Sequence, residues 1–68
     1  MNEEALNTSV RKFLKKVGIT AQREIEKAVR DGAASGALKA GAKLPAKATI
    51  TLGGVALKFE IDGDIEFG

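Results

Sequence analysis

Residues 46–61 read AKATITLGGVALKFEI, and this stretch decides the fold that the sequence predicts. Apolar and polar residues alternate on both sides of Gly53-Gly54, and strict alternation is typical of a strand with one covered face. Gly-Gly between two such runs indicates a hairpin with a two-residue turn. That turn pairs Ile50 with Leu57, which puts the apolar side chains of both strands on one face. The stretch therefore predicts a β-hairpin.

The residues that follow predict a third strand. Asp62-Gly63 is a common turn dipeptide. A two-residue loop here would turn Ile65 to the polar face. A three-residue loop with Gly63 in the left-handed conformation, or a loop of Asp62-Gly63-Asp64, places Ile65 and Phe67 on the apolar face. Pro45 is predicted to open the first strand, where its missing N–H is tolerated. The sheet is therefore predicted to be a three-stranded antiparallel meander, with strands at 46–52, 55–61 and 64–67.

The N-terminal half predicts two helices, at 3–17 and 21–35. Asn2 is a good N-cap, and Gly18 is typical of the glycine that follows a helix, with Ile19 as its hydrophobic contact. Thr20 then caps the second helix, and Gly36 is expected to end it. Each helix carries one apolar stripe of 3.6-residue period. The stripe residues are Leu6, Val10, Phe13, Leu14 and Val17 in the first helix, and Ala21, Ile25, Ala28 and Val29 in the second.

These elements predict a single α+β domain over residues 1–68. The two amphipathic helices are available to cover the apolar face of the sheet. The predicted architecture is a two-layer ααβββ arrangement, with a helical hairpin packed on one face of the meander. Residues 37–44, rich in Ala, Gly and Lys, are predicted to be a mobile connector.

The composition argues against catalysis. The chain has no histidine and no cysteine, so it offers no ordinary base for a nucleophile and no zinc-type ligand set. Ser9 and Ser35 are expected on a helix surface and at a helix end. We therefore expect no catalytic residue, no metal site and no cofactor. No apolar run approaches the ~20 residues that span a bilayer, and no signal peptide is recognisable, so a cytoplasmic location without membrane contact is expected.

The charges are distributed unevenly along the chain. Residues 1–47 carry ten Lys/Arg and five Asp/Glu, a net +5, whereas residues 48–68 carry one Lys and four acids, a net −3. Such an asymmetry can mark a partner surface. In the second helix, the basic residues have a second explanation, because Glu26–Arg30 and Glu24–Lys27 can form ion pairs along the helix. The candidate contacts for nucleic acid or an acidic partner are Arg11, Lys12, Lys15, Lys16, Arg23, Lys27 and Arg30.

Residues 13–25 also resemble part of a helix-turn-helix motif. The resemblance consists of a turn glycine, an apolar residue and Thr20 before a second helix. An apolar residue is expected six positions after that glycine, but Glu24 stands there and Ile25 comes one place late. An αα-hairpin explains the same residues equally well.

Three runs resemble a family of short, uncharacterised bacterial proteins. They are MNEE at 1–4, RKFLKKVG at 11–18 and QREIEKAV at 22–29. The resemblance covers nearly the whole chain and implies a bacterial origin, a small stand-alone protein and an unknown function. It implies no site residues.

Two functional hypotheses follow. The first is a non-enzymatic interaction domain that binds an unknown protein partner or a second copy of itself, because the edges of a meander invite pairing. The alternative is weak, sequence-tolerant binding of nucleic acid through Arg11, Lys12, Lys15 and Lys16.

Overall fold

The computed structural model describes all 68 residues and contains three regular elements. Helix α1 spans Glu3–Ala34, and the strands β1 and β2 span Lys43–Leu52 and Leu57–Glu66. The chain divides into two compact units, Met1–Ala37 with the helix and Leu38–Gly68 with the strands. The α+β composition agrees with the prediction, but the ααβββ architecture is wrong. There is no helical hairpin, and the sheet has two strands.

The start and end of α1 follow the sequence signals. The side chain of Asn2 accepts a hydrogen bond from the backbone N–H of Ala5 at 3.0 Å, which satisfies one of the free donors of the first turn. At the other end, Ser35 is the C-cap and Gly36 adopts a left-handed φ of 80°. Its N–H bonds to the carbonyl of Ala33 at 3.2 Å, a capping arrangement that glycine permits without strain.

The predicted break between two helices at Gly18 is wrong. The helix continues for 32 residues, and Gly18 does not have the left-handed φ that a C-terminal cap requires. A glycine inside a helix costs only about 1 kcal/mol. The apolar stripe keeps its phase across this glycine, from Val17 to Ala21, so one amphipathic helix accommodates both halves. The helix-turn-helix alternative is excluded because there is no turn, and Ile19 is an exposed helical residue.

The predicted hairpin exists, but its turn and register differ. Residues 53–56 form a four-residue connection in which Gly54 has a φ of 90°. Ile50 therefore pairs with Phe59 and not with Leu57. This shift of two residues preserves which side chains share a face, because strand side chains alternate with a period of two. Val55, predicted to lie in the second strand, belongs to the turn.

The predicted turn at Asp62-Gly63 and the third strand are wrong. β2 runs straight through this dipeptide, and Gly63 lacks the positive φ that the three-residue loop needed. The period-two alternation from Leu57 to Ile65 is unbroken, so a longer strand satisfies it without a turn. β1 begins at Lys43 to provide the matching partner, and Pro45 consequently lies inside this strand, opposite Asp64. Proline is tolerated there because each strand of a two-stranded sheet has one free edge.

Neither unit contains a buried side chain. The apolar residues of the helix and of the sheet are exposed or half-exposed along their whole length. Close packing of apolar side chains is normally the main stabilising term of a folded domain. Neither unit has that term by itself. No helix in the structure combines the length and the apolarity needed to cross a bilayer.

Candidate association surfaces and basic cluster

The first candidate surface is the apolar stripe of α1, here called the helix stripe. It consists of Leu6, Val10, Phe13, Leu14, Val17, Ala21, Ile25, Ala28 and Val29. At a rise of 1.5 Å per residue, it extends over about 35 Å. Phe13 is 52% exposed and Leu14 is 48% exposed. These values are far above those of a packed core, so nothing within the helical unit covers the stripe.

The second candidate surface is one side of the hairpin, here called the sheet face. Its residues form five cross-strand pairs: Leu44–Ile65, Ala46–Gly63, Ala48–Ile61, Ile50–Phe59 and Leu52–Leu57. Nine of the ten residues have an apolar side chain, and the tenth is Gly63. Ile65 joins this face as predicted, although it does so by continuation of β2 and not by a turn. Ile61 remains 56% exposed, so nothing within the hairpin unit covers the sheet face.

The opposite side of the hairpin is polar and pairs its own charges. Lys47 Nζ lies 3.1 Å from Glu60 Oε2, and Lys43 Nζ lies 3.7 Å from Glu66 Oε1. Residues 38–68 carry four lysines and four acids, which gives this unit a net charge of zero. The helical unit has seven basic and five acidic residues, a net +2. The two units therefore differ in net charge by much less than residues 1–47 and 48–68 do. The reason is that Lys39, Lys43 and Lys47, which lie within residues 1–47, belong to the hairpin unit.

The predicted basic residues of the helix fall into two groups. In the C-terminal half, Lys27 Nζ donates to Asp31 Oδ2 at 2.9 Å, and Arg30 pairs with Glu26 at 3.8 Å. The Glu26–Arg30 pair was predicted, whereas the expected Glu24–Lys27 pair is replaced by Lys27–Asp31. Arg23 has no acidic side chain within ion-pair distance.

The other group, here called the basic cluster, consists of Arg11, Lys12, Lys15 and Lys16. None of the four forms an ion pair. Lys12, Lys15 and Lys16 border one shallow surface depression together with Ile19 and Thr20. The sequence predicted the charges of this cluster but not the apolar Ile19 among them. If the helix had been predicted to continue through Gly18, its 3.6-residue period would have placed Ile19 on the same side as these lysines.

No group of acidic side chains in the structure is arranged to hold a metal ion. Comparison with curated proteins and with solved structures finds no match. A family model does match, and it covers residues 1–68, which confirms the resemblance to an uncharacterised family of short proteins. The chain therefore belongs to DUF6494, a family of unknown function.

Proposed function

We propose that this protein is a non-enzymatic self-associating module whose hydrophobic core forms only when copies of the chain pack together. The observation that carries the proposal is that no side chain is buried in either unit. Isolated helices owe most of their stability in proteins to the packing of an amphipathic face, and an isolated two-stranded hairpin is marginal in water. The helix stripe and the sheet face therefore each need a covering surface.

The residues of the two surfaces indicate how much covering is needed. The helix stripe has nine apolar residues and the sheet face has nine apolar side chains, and none of them is buried. A second copy of the chain presents apolar surfaces of the same length.

The non-enzymatic part of the proposal rests on residue types. The chain contains no histidine and no cysteine, and Ser9 donates its hydroxyl hydrogen bond to the backbone carbonyl of Leu6 at 3.0 Å. Ser35 does the same toward Gly32 at 3.1 Å. Both serines thus have helix roles of the kind expected for these residues. The absence of cysteine suits a reducing compartment, and a bacterial cytoplasmic location stays a prediction.

Sedimentation equilibrium of the intact chain over a wide concentration range tests self-association. We expect a mass that is a multiple of 7.1 kDa, with dissociation at low concentration accompanied by loss of helical circular dichroism, because association and folding are coupled. A monomer at high concentration that still unfolds cooperatively would overturn the proposal.

A second candidate function, nucleic-acid binding, is favoured by the basic cluster. Four cations within six residues have no acidic partner, and unpaired cations are available to phosphates. If all four contact duplex phosphates, the logarithm of the binding constant should fall with log salt at a slope of about −3.6. The paired substitution K12E/K15E should abolish binding, whereas K58E on the hairpin should not. Absence of binding to DNA or RNA at low salt would end this hypothesis.

A further inference from the structure

We infer that two copies of the chain pair through their helix stripes in antiparallel orientation, with the twofold axis level with Val17. This inference rests on the proposed self-association and specifies its geometry. Three independent features of α1 support it: the repeat of the stripe, the distribution of side-chain size along it, and the direction of the helix dipole.

The helix stripe follows an 11-residue repeat. Leu6, Val10 and Leu14 recur as Val17, Ala21 and Ile25, and the repeat starts again at Ala28. Eleven residues over three turns give 3.67 residues per turn, close to the 3.6 of a straight α-helix. The stripe therefore stays on one side of α1 without the left-handed supercoil that a seven-residue repeat imposes. A second α1 of equal length can follow it from end to end with the slight right-handed supercoil that an 11-residue repeat gives.

Side-chain size decreases along the stripe. The N-terminal half carries Leu6, Phe13 and Leu14, whereas the C-terminal half includes Ala21 and Ala28. An antiparallel pair centred at Val17 sets Leu6 against Ala28 and Phe13 against Ala21. Large residues then meet small ones, and the distance between the axes stays uniform. A parallel pair would set large against large at one end and small against small at the other, leaving that end poorly packed.

The helix dipoles also favour the antiparallel orientation. In a parallel pair, the two N-termini lie side by side and so do the two C-termini, whereas an antiparallel pair sets each N-terminus beside a C-terminus.

The position of Gly18 in the helix supports a close approach of the two helices near Val17. Glycine is a poor residue inside a helix, and no atom of the isolated chain lies within 4 Å of the position that a Cβ would take here. The chain's own structure therefore gives no reason for a glycine. In the antiparallel pair, Gly18 lies beside the twofold axis, where the absence of a side chain lets the two helices approach closely.

Distances between spin labels test the orientation. The chain has no cysteine, so the single variants A5C and T20C carry one label each. In the antiparallel pair, the two Ala5 positions are separated by about 36 Å along the axis, whereas the two Thr20 positions are separated by about 9 Å. In a parallel pair, both variants should give short distances, near the 8–10 Å between helix axes plus the reach of the labels.

The outcomes separate this inference from the proposed function. A dimer with a long distance at A5C and a short one at T20C supports the inference. A dimer with short distances at both positions, or with long distances at both, overturns it while self-association stands. A monomeric mass for the unlabelled chain overturns both.

Discussion

Leu14 and Ile19 form a matched pair for testing whether the helix stripe is an interface. Both are large aliphatic residues of the same helix, and they are 48% and 51% exposed in the single chain. Leu14 belongs to the stripe, whereas Ile19 lies among the basic residues. In an isolated chain, the substitutions L14A and I19A should change the stability of the helix by similar amounts, apart from a small difference in helix propensity.

Self-association predicts a large difference between L14A and I19A. Full burial of a leucine side chain is worth about 1.5–3 kcal/mol, so covering the exposed half of Leu14 contributes about 1 kcal/mol per chain. Each dimer contains two copies, which gives about 2 kcal/mol and a roughly thirtyfold weaker dimer. A residual cavity would increase the loss. I19A should leave association unchanged, since that side chain stays in water.

Sedimentation equilibrium of the wild type and both variants measures the dissociation constants directly. Circular dichroism at the same concentrations reports whether the helix is retained, which separates weaker association from a failure to fold. Equal dissociation constants for L14A and I19A would refute the assignment of the stripe as the interface. A stronger effect of I19A would move the interface to the opposite side of α1.

Three further substitutions test other parts of the structure. I61T should weaken association because Ile61 lies on the sheet face. V55T is the control, because Val55 is similarly exposed but lies in the turn, and sedimentation should show no change in its association. N2A should lower the free energy of unfolding by about 1 kcal/mol through loss of the helix cap, and N2D should restore most of it, as chemical denaturation can show. G63A should stabilise the hairpin by about 0.5–1 kcal/mol, because Gly63 lies in an extended strand; destabilisation would instead indicate a turn at this position.

Local sequence signals were sufficient to predict both ends of α1 and which side chains share a face of the hairpin. The cap at Asn2 and the glycine at Gly36 act over one turn, so neighbouring residues determine them. The composition of the sheet face was also predictable, because an even shift of register leaves the same side chains on each side. The basic cluster was visible from its charges alone.

The two breaks that the sequence suggested failed for a common reason. Gly18 and the dipeptide Asp62-Gly63 carry breaking signals of about 1 kcal/mol each, whereas the apolar periodicity on both sides extends over many residues. In each place, the pattern continues in phase through the glycine. A long regular element therefore keeps more apolar side chains aligned than two short ones would.

The remaining error came from fitting two helices and a three-stranded sheet to one another as the two layers of a single domain. A helical hairpin over a three-stranded sheet would place a core inside 68 residues, and that expectation favoured a break in the helix and an extra turn in the sheet. Without that expectation, the 11-residue repeat favours a single helix, and the unbroken alternation favours a single long second strand. Both elements then present an apolar face too long to be left in water. A second copy of the chain is the covering surface that we propose for these faces.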